Sequence, residues 1–244
     1  MVFLPVQLKQ KLHLVLGLHQ EDANMHNLYD LFCVIDEYTA YLREKDFEFS
    51  QDGSPVLRKE MFLNEIPDMM VPVNHRKDRR VVNRKKTVLV FFCGDVEIYR
   101  RLPKLLYEID EYRTYMGVVG PDVTVTADMD DEWQRAIMFL NQLAMAVMAC
   151  NGIKVVLNTR TGGTCTREML GIMPRGVMVA SGFLGGDSKY DKADFSYVAK
   201  MLRLMPAVIL IYGSCSAKLQ EKLDRVGLNC VVYTDFRRLC KEAT

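Results

Sequence analysis

The sequence lacks the features that place a chain in or across a membrane. It contains no uncharged run as long as the roughly 18 residues that a membrane-spanning helix needs. The apolar opening stretch, residues 1–18, is interrupted by Lys9 and Lys11, and no small-residue cleavage site of the signal-peptide kind follows it. We therefore expect no membrane span, no signal peptide and a cytoplasmic location.

Cysteine usage and histidine positions disfavour several common kinds of site. The seven cysteines form no Cys-x-x-Cys pair, and Cys93 and Cys230 lie inside apolar runs, so we expect free buried thiols and no structural zinc site. A nucleophilic cysteine, such as Cys165 or Cys215 in predicted loops, needs a neighbouring base. All histidines precede the regular part of the chain, so such a pair would require the N-terminal segment to fold over it; they are His13, His19, His26 and His75.

Charge and glycine patterns also identify no ligand class. The formal net charge is +1, which is too small to create a global field that attracts nucleic acid or a membrane surface. The glycines match neither the G-x-G-x-x-G fingerprint of dinucleotide binding nor the G-x-x-x-x-G-K-[ST] phosphate loop. The sequence therefore assigns no cofactor, and we expect no metal.

From residue 87 onward, short apolar runs alternate with stretches of helical character. The apolar runs are VLVFF (88–92), GVVG (117–120), KVVLN (154–158), GVMVA (176–180), AVILIY (207–212) and NCVVY (229–233). The helical stretches are residues 97–112, 131–150, 167–170, 192–205 and 217–226. This alternation predicts an α/β fold with a parallel sheet of about six strands, either doubly wound or barrel-like.

The first 74 residues have a different character. One amphipathic helix is predicted by apolar residues that recur at spacings of three and four, namely Leu28, Leu31, Phe32, Ile35, Tyr38 and Leu42. We expect residues 1–74 to be a helical segment packed on the main domain, residues 87–244, because a single helix supplies little core for independent folding. Residues 58–73, which contain two prolines and a Met pair, match no pattern.

Residues 75–86, HRKDRRVVNRKK, form a strongly basic stretch. We interpret it as a solvated linker that leads into the first predicted strand. The alternative is a phosphate-contacting patch for nucleic acid, whose residues would be Arg76, Lys77, Arg79, Arg80 and Arg84. No aromatic residues are interleaved with these cations, which favours the linker.

Polar residues follow each predicted strand, at the place where parallel α/β sheets bind ligands. The candidate catalytic residues are Asp95, Asp122 and Arg160, which follow the first three strands. The candidate ligand-binding residues are Asn158, Thr124, Ser181, Gly213 and Ser214. Gly162 and Gly163 follow Arg160 and would let the backbone approach a ligand closely.

These candidates have structural alternatives. Asp95 and Asp122 are residues that commonly cap a following helix. Arg160 requires a carboxylate or a phosphate partner after an apolar strand, so an ion pair with Asp122 or Asp95 competes with a ligand role. Gly213 and Ser214 fit an ordinary tight turn as well as a phosphate-binding helix start.

Several of these segments together resemble an uncharacterised domain-of-unknown-function family found in phages, mobile elements and Firmicute-type bacterial genomes. The matching segments are GPDVT (120–124), NGIKVVLNTR (151–160), VMVASGFLG (177–185) and ILIYGS (209–214). Thr124 stands where the family usually has Ser, and Thr161 where it often has an aromatic residue. The resemblance implies the same kind of fold and rim, and it implies no particular reaction.

Three functions remain open at this point. The first is a phage or mobile-element accessory protein that binds a host or defence component, or a small phosphorylated ligand, at the strand ends. The second is a small enzyme that acts on a nucleotide-like or phosphorylated substrate through the Asp, Asn and Arg residues there. The third is nucleic-acid binding through residues 75–86. Convergence of Asp95, Asp122, Asn158 and Arg160 in one place would favour the first two.

Overall fold

The computed structural model describes residues 28–183 and 193–242. Its centre is a seven-stranded parallel sheet in which every strand pairs with the next strand along the chain. The strands are β1 (Met69–Pro72), β2 (Thr87–Val90), β3 (Gly117–Val119), β4 (Val155–Asn158), β5 (Met178–Phe183), β6 (Val208–Gly213) and β7 (Cys230–Tyr233). The sheet is nearly closed and barrel-like, so the α/β prediction is confirmed and its barrel-like form is the one observed.

Helices follow most of the strands and cover the outside of the sheet. They are α1 (Leu28–Glu44), α2 (Asp95–Arg101), α3 (Leu105–Tyr112), α4 (Asp131–Cys150), α5 (Thr164–Gly171), α6 (Ala193–Leu204), α7 (Ala217–Arg225) and α8 (Phe236–Glu242). The helix predicted over 97–112 is two helices, because Pro103 lies in the 3-10 turn between α2 and α3. Within the described ranges, no helix is long and apolar enough to span a membrane.

Strand β1 lies in the stretch that matches no sequence pattern. It is four residues long and ends in Pro72, and a proline within a short apolar run argues against a strand. The proline is tolerated here because β1 pairs with β2 alone. The sheet therefore begins before residue 87, and the basic stretch 75–86 connects β1 to β2 instead of preceding the sheet.

Apolar residues fill both the inside of the barrel and the layer between barrel and helices. Because side chains alternate along a strand, each strand contributes to both regions. The inner cluster contains Met70, Val88, Val90, Phe92, Val119, Val156, Met178, Ala180, Leu210 and Tyr212. Leu63, which precedes β1, belongs to the same cluster, and its N–H donates to the Val155 carbonyl at 2.9 Å.

Helix α1 packs on the outer helical layer. Its buried face includes Leu31, Tyr38 and Leu42, and the Tyr38 hydroxyl donates to the Leu102 carbonyl at the end of α2. The predicted apolar face is wrong at one position, because Phe32 is 47% exposed and Val34, at 4%, is buried instead. The helix turns by about 100° per residue, so this change rotates the buried stripe toward position 34.

The seam between β7 and β1 has no ladder of backbone hydrogen bonds in the described structure. Side chains close it instead. Phe236, the first residue of α8, is completely buried in the barrel cluster, with its ring 5.4 Å from that of His75. The Tyr212 hydroxyl accepts from the Phe236 N–H at 2.9 Å and donates to Asp235 Oδ1 at 3.1 Å, and the Tyr233 hydroxyl donates to the Pro67 carbonyl at 2.7 Å.

We expect Phe236→Ala to destabilise the protein by about 3–5 kcal/mol, because it empties a fully buried ring site at the seam. The matched control is Tyr233→Phe, which removes one hydrogen bond across the same seam and should cost about 1 kcal/mol. Urea unfolding of both variants measures the difference. Equal losses would mean that Phe236 does not hold the barrel together.

Candidate functional site

The ends of β3 and β4 bring three of the candidate residues into direct contact. Asn158 is the last residue of β4, and its Nδ2 donates to Asp122 Oδ1 at 2.9 Å and to the Pro121 carbonyl at 2.8 Å. Its Oδ1 accepts from the backbone N–H of Arg160 at 3.0 Å. Arg160 NH1 then pairs with Asp122 Oδ2 at 3.0 Å. Asn158 therefore fixes both members of the Asp122–Arg160 pair.

Asp95 and Thr124 extend this cluster toward β2. Asp95 Oδ1 accepts from the Thr124 backbone N–H at 3.2 Å and from its hydroxyl at 3.1 Å. Arg160 NH2 lies 3.5 Å from the same hydroxyl. Neither aspartate caps a helix: α2 has Gly94 at its N-cap with no side-chain cap bond, and α4 is capped by Asp130. The capping alternative for Asp95 and Asp122 is therefore wrong.

The environment of Asp122 opposes its ionisation. Burial raises the pKa of this carboxyl, and the nearby charge of Asp95 adds to the increase. The Arg160 charge and the hydrogen bonds from Asn158 and Arg160 lower the pKa, but burial is the largest influence. The Asp122 side chain is 14% exposed and that of Arg160 is 35% exposed, so the guanidinium is the partner that faces solvent.

A second cationic side chain, which the sequence analysis does not include, lies next to this cluster. Lys200 on α6 donates through Nζ to the Thr159 carbonyl at 2.6 Å and to Thr161 Oγ1 at 3.4 Å. Burial lowers its pKa to about 8, helped by the positive charges of Arg167 and Arg160 and opposed by Asp122. Lys200 therefore belongs to the same electrostatic environment as Arg160.

Ser181 is separated from the Asp122–Arg160 cluster by its own hydrogen bonds. The Thr159 hydroxyl donates to the Ala180 carbonyl at 3.2 Å and lies 2.6 Å from Ser181 Oγ, which lies 2.8 Å from the Tyr197 hydroxyl. Either hydroxyl of each pair can be the donor. This buried chain joins the end of β4 to β5 and α6, and it engages Ser181 Oγ within the protein.

The glycines after Arg160 serve the protein's own packing. A Cβ at Gly162 would lie 2.5 Å from Gln134 Oε1 and 2.8 Å from the Thr126 carbonyl oxygen. The Gly163 N–H donates to the same Gln134 Oε1 at 2.6 Å, and Gln134 is completely buried. The expected close approach of a ligand at these glycines is therefore wrong, since α4 occupies that space.

A small cavity lies behind Arg160 and Asn158. Its volume is about 20 Å³ and its walls are Gly120, Pro121, Met138, Asn141, Gln142, Met145, Leu157, Leu170 and Met173, besides Asn158 and Arg160. The buried Oδ1 of Asn141 and Oε1 of Gln142 have no hydrogen-bond partner among the described residues. The space suits one ordered water and is too small for an organic ligand, so a ligand of Arg160 has to bind on the outer, solvent-facing side.

The remaining candidates do not join the cluster. Gly213 is the last residue of β6 and Ser214 follows it. The Ser214 N–H donates to the Phe183 carbonyl at 3.2 Å, and no described hydrogen bond links either residue to Asp122 or Arg160. Burial raises the pKa of the Cys93 thiol to about 12, which makes it a poor nucleophile. Cys165 is buried, and its Sγ lies 3.6 Å from Asp131 Oδ1.

The described residues place no histidine in the Asp122–Arg160 cluster. His75 packs against Phe236, while His13, His19 and His26 lie outside the described residues. In the ranges 28–183 and 193–242, no group of three or more His, Cys, Asp or Glu residues is arranged to hold a metal ion. All seven cysteines are free thiols.

The basic stretch is largely neutralised by carboxylates. Its ion pairs are Arg76 with Glu108 at 3.1 Å and with Glu111 at 3.0 Å, Lys77 with Glu111 at 3.5 Å, and Arg80 with Asp78 at 3.2 Å. The Arg84 guanidinium lies 5.2 Å from the centre of the Tyr115 ring, and Arg79 is exposed. Cations held in this way are poorly placed to follow a nucleic-acid backbone.

The fold and site define a class: an α/β protein with a nearly closed parallel barrel and a polar, partly cationic cluster at the carboxyl ends of β3 and β4. Comparisons with protein-family models, with curated proteins and with solved structures found no match to this chain. The residues themselves therefore carry the functional argument.

We expect Arg160→Met to destabilise the protein in a pH-dependent manner. A carboxyl whose folded-state pKa is raised contributes stability below its unfolded pKa, and this stability is lost as pH rises through the folded pKa. Without Arg160 the pKa of Asp122 rises further, so the loss should be small near pH 4 and should approach about 3–5 kcal/mol at neutral pH and above. Denaturant unfolding from pH 4 to pH 8 measures it.

The control is the double variant Asp122→Asn with Arg160→Met, in which no carboxyl remains to titrate at this position. Its stability relative to the Asp122→Asn single variant should not depend on pH over the same range. A loss in Arg160→Met that stays constant from pH 4 to pH 8 would contradict the importance of the ion pair.

Proposed function

We propose that the protein binds a small anionic ligand, most simply a phosphorylated one, on the outer side of the cluster formed by Asp122, Asn158 and Arg160. The observation that carries the proposal is that the Arg160 guanidinium is held in position by the protein and still faces solvent. It is oriented by Asp122 and Asn158, yet its side chain is 35% exposed at the carboxyl ends of neighbouring parallel strands, where α/β sheets bind ligands.

The contacts of Arg160 leave part of its hydrogen-bonding capacity unused. Among the described residues, Asp122 engages Nη1 at 3.0 Å, while Nη2 makes only a long contact of 3.5 Å with the Thr124 hydroxyl. A guanidinium carries five N–H donors in a planar fork that matches a phosphate or carboxylate. The pair with Asp122 orients this fork without satisfying it, which reduces the entropy that ligand binding would cost.

A binding protein fits this arrangement better than an enzyme that uses Asp122 as a general base. Both oxygens of Asp122 already accept hydrogen bonds, Oδ1 from Asn158 and Oδ2 from Arg160. A general base has to reach the substrate proton, and the Asp122 side chain is only 14% exposed while Arg160 is the partner that faces solvent. The raised pKa of Asp122 is the one observation that favours the enzyme alternative, in which Asp122 would act on a nucleotide-like substrate.

The biological setting remains a prediction from the family resemblance. In that setting the protein is a phage or mobile-element accessory protein in the cytoplasm, and its partner is a host or defence component or the phosphorylated molecule itself. Nucleic-acid binding is a weaker proposal, because Arg76, Lys77 and Arg80 of this stretch are paired with Asp or Glu.

The test is calorimetric titration with inorganic phosphate, pyrophosphate, nucleotides and sugar phosphates. We expect Arg160→Lys to fold normally, because a lysine still supplies a positive charge to Asp122, and to weaken binding of the best ligand by about tenfold or more, since an ammonium cannot form the bidentate contact. Arg225→Lys is the matched control, because Arg225 is an exposed arginine that pairs with Glu221 at 2.6 Å.

Two outcomes would contradict the proposal. One is that none of these ligands binds to or stabilises the wild-type protein. The other is that Arg160→Lys and Arg225→Lys bind the best ligand with the affinity of the wild type.

A further inference from the structure

We propose that Lys200 forms a second half of the anion site, so that the ligand of this protein carries two negative charges and its binding is coupled to the protonation of Lys200. This inference rests on the proposed function and specifies the ligand class. It concerns a residue on α6, a helix from which no described side chain forms a hydrogen bond or ion pair with Asp122.

The position of Lys200 is unusual for a lysine. The buried residues Tyr197, Met201 and Leu204 define the inner face of α6, and position 200 lies on this face, three residues after Tyr197. Its Nζ lies 5.6 Å from the centre of the Tyr197 ring and donates to the Thr159 carbonyl at 2.6 Å. The ammonium is thereby directed into the loop that contains Arg160.

Within the described residues, Lys200 makes its contacts with neutral groups. They are the Thr159 carbonyl, the Thr161 hydroxyl and the Tyr197 ring, and among the described residues Lys200 forms no ion pair. A largely buried ammonium without a carboxylate partner is costly. Because this ammonium lies near the strand ends where α/β sheets bind ligands, a bound anion can supply the missing partner.

The charges around Lys200 also favour an anion. Arg167 on α5 and Arg160 after β4 act on it as positive charges, and Asp122 after β3 is the negative one. Asp122 is already paired with Arg160, and within the described part of the chain Arg167 forms no ion pair. Two guanidinium groups and one carboxylate therefore act on the Lys200 ammonium, and the field at its Nζ favours an anion.

This arrangement links binding to pH in a defined direction. The pKa of Lys200 is lowered to about 8, by burial first and then by Arg167 and Arg160. The groups that face it are Tyr197 from α6, Arg167 from α5, Thr159, Thr161 and Arg160 from the β4–α5 loop, and Asp122 from the end of β3. An anion favours the protonated amine, so binding raises the pKa of Lys200 and takes up protons near pH 8.

Sulfate and methanesulfonate provide the test, because sulfate remains a dianion and methanesulfonate a monoanion between pH 6 and pH 10. We expect sulfate to bind at least about tenfold more tightly than methanesulfonate. Sulfate affinity should be level below pH 8 and should fall by about tenfold per pH unit above it, because only the protonated amine binds. Calorimetry in buffers of different ionisation enthalpy measures the proton uptake.

Three variants separate Lys200 from the rest of the site. Lys200→Arg should bind sulfate without pH dependence up to pH 10, since a guanidinium stays charged, and Lys200→Met should bind it at least about tenfold more weakly at pH 7. Lys85→Met is the matched control, because Lys85 is exposed and also donates to a backbone carbonyl, that of Arg113, at 3.3 Å. It should behave as the wild type does.

The outcomes distinguish this inference from the proposed function. If Arg160→Lys weakens sulfate binding while Lys200→Met does not, the anion site stands and the role of Lys200 is refuted. The role of Lys200 is also refuted if sulfate affinity has the same pH profile in the wild type and in Lys200→Arg. It is refuted as well if sulfate and methanesulfonate bind with equal affinity. If the wild type binds neither anion nor any of the phosphorylated ligands, both proposals fail.

Discussion

The buried carboxylate of Asp122 organises the whole rim of this protein. A charge in that position is costly unless it is paired and hydrogen-bonded, and the chain supplies both partners from the next strand, Asn158 and Arg160. Because Asn158 also accepts the Arg160 backbone N–H, one amide determines where the loop after β4 begins. The guanidinium points where it does because it pairs with the buried Asp122 carboxylate. This direction also sets the side from which a ligand would approach.

The barrel closure explains why the site lies on one side of the rim. Phe92 and Tyr212 stack with ring centres 5.7 Å apart, and Phe236 is buried beside them. A Cβ at Gly182 would lie 2.8 Å from Phe92, so that ring is tightly enclosed. These aromatic residues lie at the mouth near the seam, and in the described part of the chain the polar cluster lies at the ends of β3 and β4.

Much of the fold could be predicted from the sequence, because buried parallel strands are nearly continuous apolar runs. Strand β1 could not be predicted, since it contains Pro72. Helix α8 could not be predicted either, because it is a short helix directly after the last strand. The contact between Asp122 and Arg160 was among the sequence alternatives. Lys200 carried a readable signal, its place on the apolar face of α6, but a lysine is normally assigned to solvent. The Gln134 side chain, which a Cβ at Gly162 would contact, is distant in sequence, so this contact could not be inferred from spacing.

The pairing of each strand with its chain neighbour has a consequence for how the molecule folds. Contacts within the sheet join each strand to the next one along the chain, so the barrel is built from successive βα units. The seam is the exception, because it joins residues near Pro67 with residues near Tyr233. We infer that a chain still emerging from the ribosome exposes the edges of β1 and of its latest strand until α8 is complete, and exposed strand edges are sites of aggregation.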